Sequence, residues 1–262
     1  MSGGIEIAAS SGVTIRLLGP FEIIKQGMAL PLRVGGKTEY VLSALAAHPH
    51  AGVTREALVE QVWPGTPPPQ SIRCLSSLLH GLKRQLHDAL GGEAPVIHSH
   101  NRYRLNIESG VSVDVLDFET AVDAAHRLHS VGSVAAAIDS YRRAVSLYRG
   151  DLTAPEDITG LLQRERLRAL CLDSLARLGD AHFELGDYAQ ALAAALQLTA
   201  IDACREDAHR MTMRAYVRLG ARAQALRQYA LCRAALAREF DAEPEPATVQ
   251  LYAAIRTDPS SV

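Results

Sequence analysis

Hydrophobic and polar positions change their period along this chain, and each change predicts a different element. After a small, polar stretch over residues 1–12, read as a flexible tail, VTIRLLGPFEI alternates. Val13, Ile15 and Leu17 share one face until Gly19-Pro20 breaks the run. MALPLRV repeats period two through Met28, Leu30 and Leu32, and Lys25-Gln26-Gly27 predicts the turn between the runs. A small antiparallel sheet is expected there. Helical spacing then takes over. Lys37 to His48 carries Val41, Ala44, Leu45 and His48 at one-face spacing. Thr54 predicts the N-cap of a short helix, with Glu56 in its first turn and an end at Val62-Trp63 before Pro64. Pro67-Pro68-Pro69 opens a third helix, because proline suits the first turn, where the backbone N–H has no intrahelical acceptor. Beyond Gly91-Gly92, PVIHSHNRYRLNI predicts a hairpin with His98, Ser99, His100, Asn101 and Arg102 at its tip.

Strands, three helices and a closing hairpin describe a winged helix-turn-helix over residues 13–108. From Val111 the chain becomes an Ala/Leu/Arg-rich helical sequence with an internal repeat. Leu185-Gly186 recurs as Leu219-Gly220 and Ala189–Leu192 as Ala223–Leu226, both at the tetratricopeptide period of 34 residues. Gly132, Ala135, Ala137 and Ile138 form an earlier, degenerate copy. Its larger offset fits the inserted YRGDLTAPEDITGLLQRERL, and Tyr141 and Tyr229 follow their repeat glycines at the same distance. Such repeats stack helix pairs and leave a concave surface for partners. The expected fold class is mainly α, with small β-sheets in the first domain and an all-α tetratricopeptide-like domain over residues 112–257.

Composition narrows the function. Four isolated cysteines at 74, 171, 204 and 232 fit unpaired thiols in a reducing compartment. The start lacks the pattern of a signal peptide, and no run is apolar enough for a membrane span, so a cytoplasmic protein is expected. Whole-chain charge is −2, but residues 1–110 hold 10 Lys/Arg against 8 Asp/Glu, and residues 111–262 hold 17 against 21. Affinity for nucleic acid must therefore come from local placement.

That placement occurs in the third helix. Gln61 to His87 contains no Asp or Glu. At 100° per residue, Leu75, Leu79, Leu82 and Leu86 fall within about 60° of one another. Arg73, Ser77, His80, Arg84 and His87 fall within about 80° on the opposite side. One face fits a core; the other offers cations and hydroxyls with no carboxylate to repel a phosphate, as a helix in the DNA major groove requires. Lys83 lies nearer the apolar edge, where its stem can also cover the core. A solvated amphipathic face is the plainer alternative, though such faces usually mix charge signs.

Other motifs carry less. Gly36-Lys37-Thr38 resembles the end of a phosphate loop, but Pro31 stands where that loop needs glycine. His98-x-His100 and His126-x-x-His129 lack neighbouring ligands that would complete a metal site and read as surface histidines. Arg164, Arg166 and Arg168 read as a solvated helix face. No nucleophile–base spacing points to an enzyme, and no cofactor is expected.

The order of these motifs resembles the SARP-type bacterial transcriptional activators, in which an OmpR-like winged helix precedes a bacterial transcriptional activation domain. The resemblance rests on Lys37, Val62-Trp63, PPPQSIR, Val113-Asp114 with Phe118, and Arg149-Gly150-Asp151-Leu152. It extends through Glu165-Arg166-Leu167, Arg205-Glu206-Asp207, Gly220 with Ala225-Leu226, Tyr229, Arg233 and the Pro244/Pro246 tail. The chain departs from the family at the wing, where Arg102-Tyr103 replaces a Gly-Tyr and Asn101 is the residue that tolerates positive φ. The resemblance implies a sequence-specific activator that binds promoter direct repeats as side-by-side protomers and contacts RNA polymerase holoenzyme. Its expected DNA contacts are Lys37, Arg55, Ser71, Arg73, Ser77, His80, Lys83, Arg84, His100, Asn101 and Arg102. The competing reading is an interaction scaffold whose winged helix docks protein, which the weak charge of the first half favours.

Overall fold

The computed structural model describes residues 12–30, 36–49, 51–153 and 158–262. These fall into two compact units: residues up to 119 together with 147–167, and residues 120–146 together with 168–262. The tail expected over residues 1–12 and the strand position at Leu32 lie outside the described residues, Gly12 excepted.

In the first unit, β1 (Val13–Arg16), β2 (Glu22–Lys25) and β3 (Met28–Ala29) form the predicted antiparallel meander. Gln26 and Gly27 both take positive φ, so a tight two-residue turn joins β2 to β3. Then follow α1 (Lys37–Ala46), β4 (Val53–Thr54), α2 (Arg55–Val62), α3 (Pro68–Leu86), β5 (Val96–Ser99) and β6 (Arg102–Leu105). β5 and β6 form the wing hairpin, and β4 pairs with β6 in a three-stranded sheet. Thr54 caps α2 as predicted, its Oγ1 accepting from the Ala57 N–H at 3.2 Å. Ile15, Leu17, Leu42, Leu58, Leu75 and Leu86 are buried in this unit. Alternating strand positions and the apolar stripes of α1–α3 supply them, which is why period alone located the core.

One strand escaped the sequence reading. β7 (Val111–Val113) pairs in parallel with β1 and completes a four-stranded sheet of order β3-β2-β1-β7. It leads directly into α4 (Asp114–Ser130). The Asp114 carboxylate is buried and accepts the backbone N–H groups of Leu17 at 2.8 and 3.0 Å and of Leu18 at 3.0 Å. The insert then returns to the same strand end. Leu18 and Leu152 form an antiparallel bridge, the Thr153 N–H donates to the Leu17 carbonyl at 2.7 Å, and the Gly19 N–H donates to the Asp151 carbonyl at 3.1 Å. Arg149 donates to Glu22 at 2.9 Å and lies 3.9 Å from Asp114. The Arg149–Leu152 motif is therefore a backbone clamp on β1. For this reason the first unit takes in β7 and residues 147–167, past the boundary expected near residue 108.

The second unit draws on α4, α5 (Val134–Leu147), α6 (Ile158–Glu184), α7 (Tyr188–Ile201), α8 (Glu206–Arg218), α9 (Arg222–Phe240) and α10 (Pro246–Thr257). The repeat seen in sequence is a repeat of turns. Gly132, Gly186 and Gly220 take φ of 76°, 77° and 75°, each just beyond a helix end. In all three, the residue after the glycine donates its N–H five residues back: Ser133 to Leu128, Asp187 to His182 and Ala221 to Tyr216, at 2.8–2.9 Å. This is the Schellman helix ending, which needs a left-handed residue and so favours glycine. Tyr141, Ala137 and Ala181 fill one core cluster, and Met213, Ala225 and Ile255 another. Glu206 fastens the last helix, accepting from the Glu245 N–H at 3.0 and 2.9 Å and from the Thr248 hydroxyl at 2.5 Å.

Candidate nucleic-acid interface

The apolar stripe of α3 is buried at Leu75, Leu82 and Leu86 and half-buried at Leu79. Burying one side exposes the other: Arg73, Ser77, His80, Lys83, Arg84 and His87 are all exposed. Neither a carboxylate on the helix itself nor an ion pair among the described residues neutralises these cations. Lys83 and Arg84 also sit in the last turn, where the helix dipole favours positive charge. His80, Lys83, Arg84 and His87 surround a shallow depression of about 340 Å³, and Asp88 beyond the helix end is its one acid. Ser76 turns inward to its own helix, donating to the Ile72 carbonyl at 3.0 Å. Arg73 donates from Nε to the Pro69 carbonyl at 3.1 Å, which holds its guanidinium along the first turns of α3.

The wing is tighter than its sequence indicated. Ser99 pairs with Arg102, leaving His100 and Asn101 as a two-residue loop with φ of 51° and 60°. Positive φ at both central residues is the type I′ signature, whose twist matches that of the flanking strands. Asn101 was expected to take it; His100 was not. His98 stacks on Tyr103 with ring centroids 4.4 Å apart, and His100 is exposed at the tip. The Arg102 guanidinium turns back to the Gly52 carbonyl at 2.9 Å, and Asn101 lies 3.5 Å from the Glu56 carboxylate. Wing tip and α2 N-terminus are thus gathered together, with Arg55 half-buried beside Glu56 in the sequence of α2.

One expected contact is corrected by burial. Ser71 is fully buried and donates to the Pro67 carbonyl at 3.2 Å, so it closes the first turn of α3 and does not belong to its exposed face. Lys37 is exposed at the start of α1, and its ammonium donates to the Val62 carbonyl at the end of α2 and lies 5.8 Å from the Trp63 ring centre. That arrangement joins a helix C-terminus to a cation–π contact and explains why Lys37 and Trp63 occur together. The arginines read as solvated are also engaged. Arg164 donates to the Leu152 carbonyl at 3.2 Å, Arg166 to Glu119, and Arg168 to the Ile201 carbonyl at 3.1 Å. His126 and His129 are half-buried with their rings edge-on to Tyr141. Among the described residues no group of His, Cys, Asp and Glu could hold a metal ion.

Fold and site define a winged helix-turn-helix joined to tetratricopeptide-like helices. The bacterial transcriptional activator domain family matches residues 113–256. The chain belongs to this family and has the SARP-type arrangement. Regulatory protein DnrI of Streptomyces peucetius is 26% identical, over 94% of this chain and 93% of that protein. Transcriptional regulatory protein MoaR1 of Mycobacterium tuberculosis is also 26% identical, over 96% and 81%. Regulatory protein AfsR of Streptomyces coelicolor is 27% identical over 96% of this chain, which spans only 25% of AfsR. The fold is shared with Mycobacterium tuberculosis EmbR, solved in complex with a low affinity phosphopeptide. Their TM-score is 0.73 at 20% identity, covering 93% of this chain and 65% of EmbR. These relatives are named as regulators, and no helix of the described residues is long and apolar enough to cross a membrane.

Proposed function

We propose that this protein is a sequence-specific DNA-binding transcription activator of the bacterial cytoplasm. It binds promoter direct repeats as side-by-side protomers and contacts RNA polymerase. The observation that carries the reading is the exposed, carboxylate-free face of α3. In this reading α3 enters the major groove, where Arg73, Ser77, His80, Lys83 and Arg84 meet base edges and phosphates. His100, Asn101 and Arg102 of the wing, with Arg55, meet the backbone or the minor groove. Lys37, exposed at the start of α1, is kept as a phosphate contact, and the buried Ser71 is left out of the contact set. The chain acts by binding and carries out no catalysis.

A salt series of binding to promoter duplex tests the reading. The logarithm of affinity is expected to fall against the logarithm of salt by about 0.9 per neutralised phosphate. Arg73→Ala and Arg84→Ala should each weaken binding by roughly 1–3 kcal/mol if they read bases, with unchanged circular dichroism. A folded protein with no salt-dependent affinity for any promoter fragment, and no response to either substitution, would overturn it. The net charge of only +2 over residues 1–110 favours the competing scaffold reading, which that outcome would leave standing.

A further inference from the structure

Histidine is distributed unevenly between the two units. Among the described residues the exposed histidines are His48, His80, His87, His98 and His100, all in the first unit. His80 lies on α3, His87 is its C-cap, His98 ends up on β5 and His100 at the wing tip. The histidines of the second unit are half-buried or buried. Three of them are engaged: His126 lies 3.2 Å from Asp173, His182 lies 3.5 Å from Asp187, and His209 bonds the Ala203 carbonyl and Gln228 at 2.9 and 2.8 Å. Imidazole is the side chain whose charge ordinarily changes between about pH 8 and pH 5. A reserve of charge is therefore gathered on the surface that carries the fixed cations of α3.

At 100° per residue, His80, Arg84 and His87 fall within about 60° of one another, and with Lys83 they surround the depression already described. The acids near these rings are not engaged with them. Asp88 lines the depression, Glu93 follows Gly92 beside the His87 ring, and α2 carries Glu56 and Glu60. Glu56 lies 3.5 Å from Asn101, the neighbour of His100. Among the described residues none of these four acids pairs with His80, His87 or His100; the ion pairs of histidine there are those of His126 and His182. Lys25 reaches α3 from β2, bonding the Gln85 carbonyl at 3.1 Å. Arg55, Arg102 and Arg104 are the cations of α2, β5 and β6.

We propose that His80, His87 and His100 are phosphate contacts made in the protonated form, so that DNA binding takes up protons and strengthens as pH falls. These contacts presuppose the DNA-binding reading and add His87 to its contact set. A phosphate beside an imidazole favours the charged form. The bound state then holds the proton more tightly than the free state, and by linkage affinity rises as pH falls through the neutral range. Arg73, Lys83 and Arg84 are the three fixed cations of α3; three protonated imidazoles double that number. A domain with 10 Lys/Arg against 8 Asp/Glu over residues 1–110 thereby gains a grip that acid turns up.

The test uses the full chain and a fluorescein-labelled 20-bp duplex of mixed sequence, because phosphate contacts carry no sequence information. Anisotropy is read near pH 8, 7 and 6 at constant ionic strength, a range in which ordinary carboxylates keep their charge. From pH 8 to pH 6 the affinity should rise about ten-fold, and the salt slope should steepen by roughly 1–3. The triple variant His80→Gln, His87→Gln, His100→Asn keeps a residue that tolerates positive φ at the wing tip. It should bind like the wild type near pH 8 and gain less than about two-fold at pH 6. Calorimetry near pH 6.5 in two buffers of different ionisation heat should show about one to three protons taken up by the wild type and none by the variant. His48→Gln, at an exposed histidine just beyond α1, should leave the pH response unchanged. Circular dichroism melts check that each variant folds. A pH response kept by the triple variant, one lost with His48→Gln alone, or salt-dependent binding that ignores pH would each sink this inference and leave DNA binding in place. Absence of binding at every pH would sink both.

Discussion

Asp114 places a carboxylate where the fold leaves it little water. Burial is the largest influence and pushes its pKa up, against the backbone N–H groups of Leu17 and Leu18 and the nearby Arg149. An acid whose pKa is higher folded than unfolded binds its proton more readily in the folded state. Its contribution to stability therefore rises as pH falls through that raised value towards the ordinary carboxylate range. Asp114→Ala should cost roughly 2–4 kcal/mol, because two N–H groups lose their acceptor. Asp114→Asn keeps one acceptor oxygen, loses the buried charge and should cost less. Urea unfolding near pH 7 and near pH 5 should show the wild type gaining stability relative to Asp114→Asn at the lower pH; a constant difference would contradict the assignment. Cysteines offer a second check at this scale. Cys232 is fully buried and its thiol is pushed up to about 11 by burial, whereas Cys74 is exposed on α3. A maleimide near pH 7.5 should label Cys74 in the native protein and spare Cys232 until denaturant is added. Sequence spacing picked out Arg73, Ser77, His80 and Arg84 because helical period alone assigns a face. It misplaced Ser71 and did not foresee the partners of Lys37 and of the three arginines of α6, which are distant in sequence or reached by rotamers that spacing does not reveal.

The elements show which local signals suffice. Gly132, Gly186 and Gly220 are needed for their left-handed φ alone, since an added Cβ would meet nothing within 4 Å. Gly186→Ala and Gly220→Ala should each cost roughly 1–2 kcal/mol, read as a lowered thermal midpoint with unchanged helix content. Loss well above that would mean a close contact at those turns. The attachment of α10 rests on Glu206, because its carboxylate accepts from the N-cap residue Glu245 and from Thr248. Glu206→Ala should reduce hydrogen-exchange protection in α10 more than in α7. Repeat turns and the Thr54 cap were legible because each depends on a few neighbouring residues. β7 was not, because three residues pairing in parallel with β1 about a hundred positions away carry no local period.

At the scale of the molecule, a domain of weak net charge sets three of its ten Lys and Arg residues, exposed, on one helix that carries no acid. A single such face gives modest affinity, and tandem protomers multiply it through effective concentration. The proposed side-by-side arrangement predicts protected half-sites repeating at about 10–11 bp, one helical turn, in nuclease footprints. Inserting 5 bp between half-sites should abolish joint occupancy, and retention of both would argue against adjacent protomers. By itself the sequence determined the mainly α class, the winged helix, the repeat period and the acid-free stripe of α3. All of these are set by periodicity and turn chemistry over a few residues. Only the tertiary structure decided that β7 and the Arg149–Thr153 segment belong with β1, that Ser71 faces inward while Lys37 bonds the end of α2, and that Tyr229 meets Tyr252. Those outcomes depend on which distant groups approach closely enough to exclude water and exchange hydrogen bonds, and no local pattern along the chain encodes that distance.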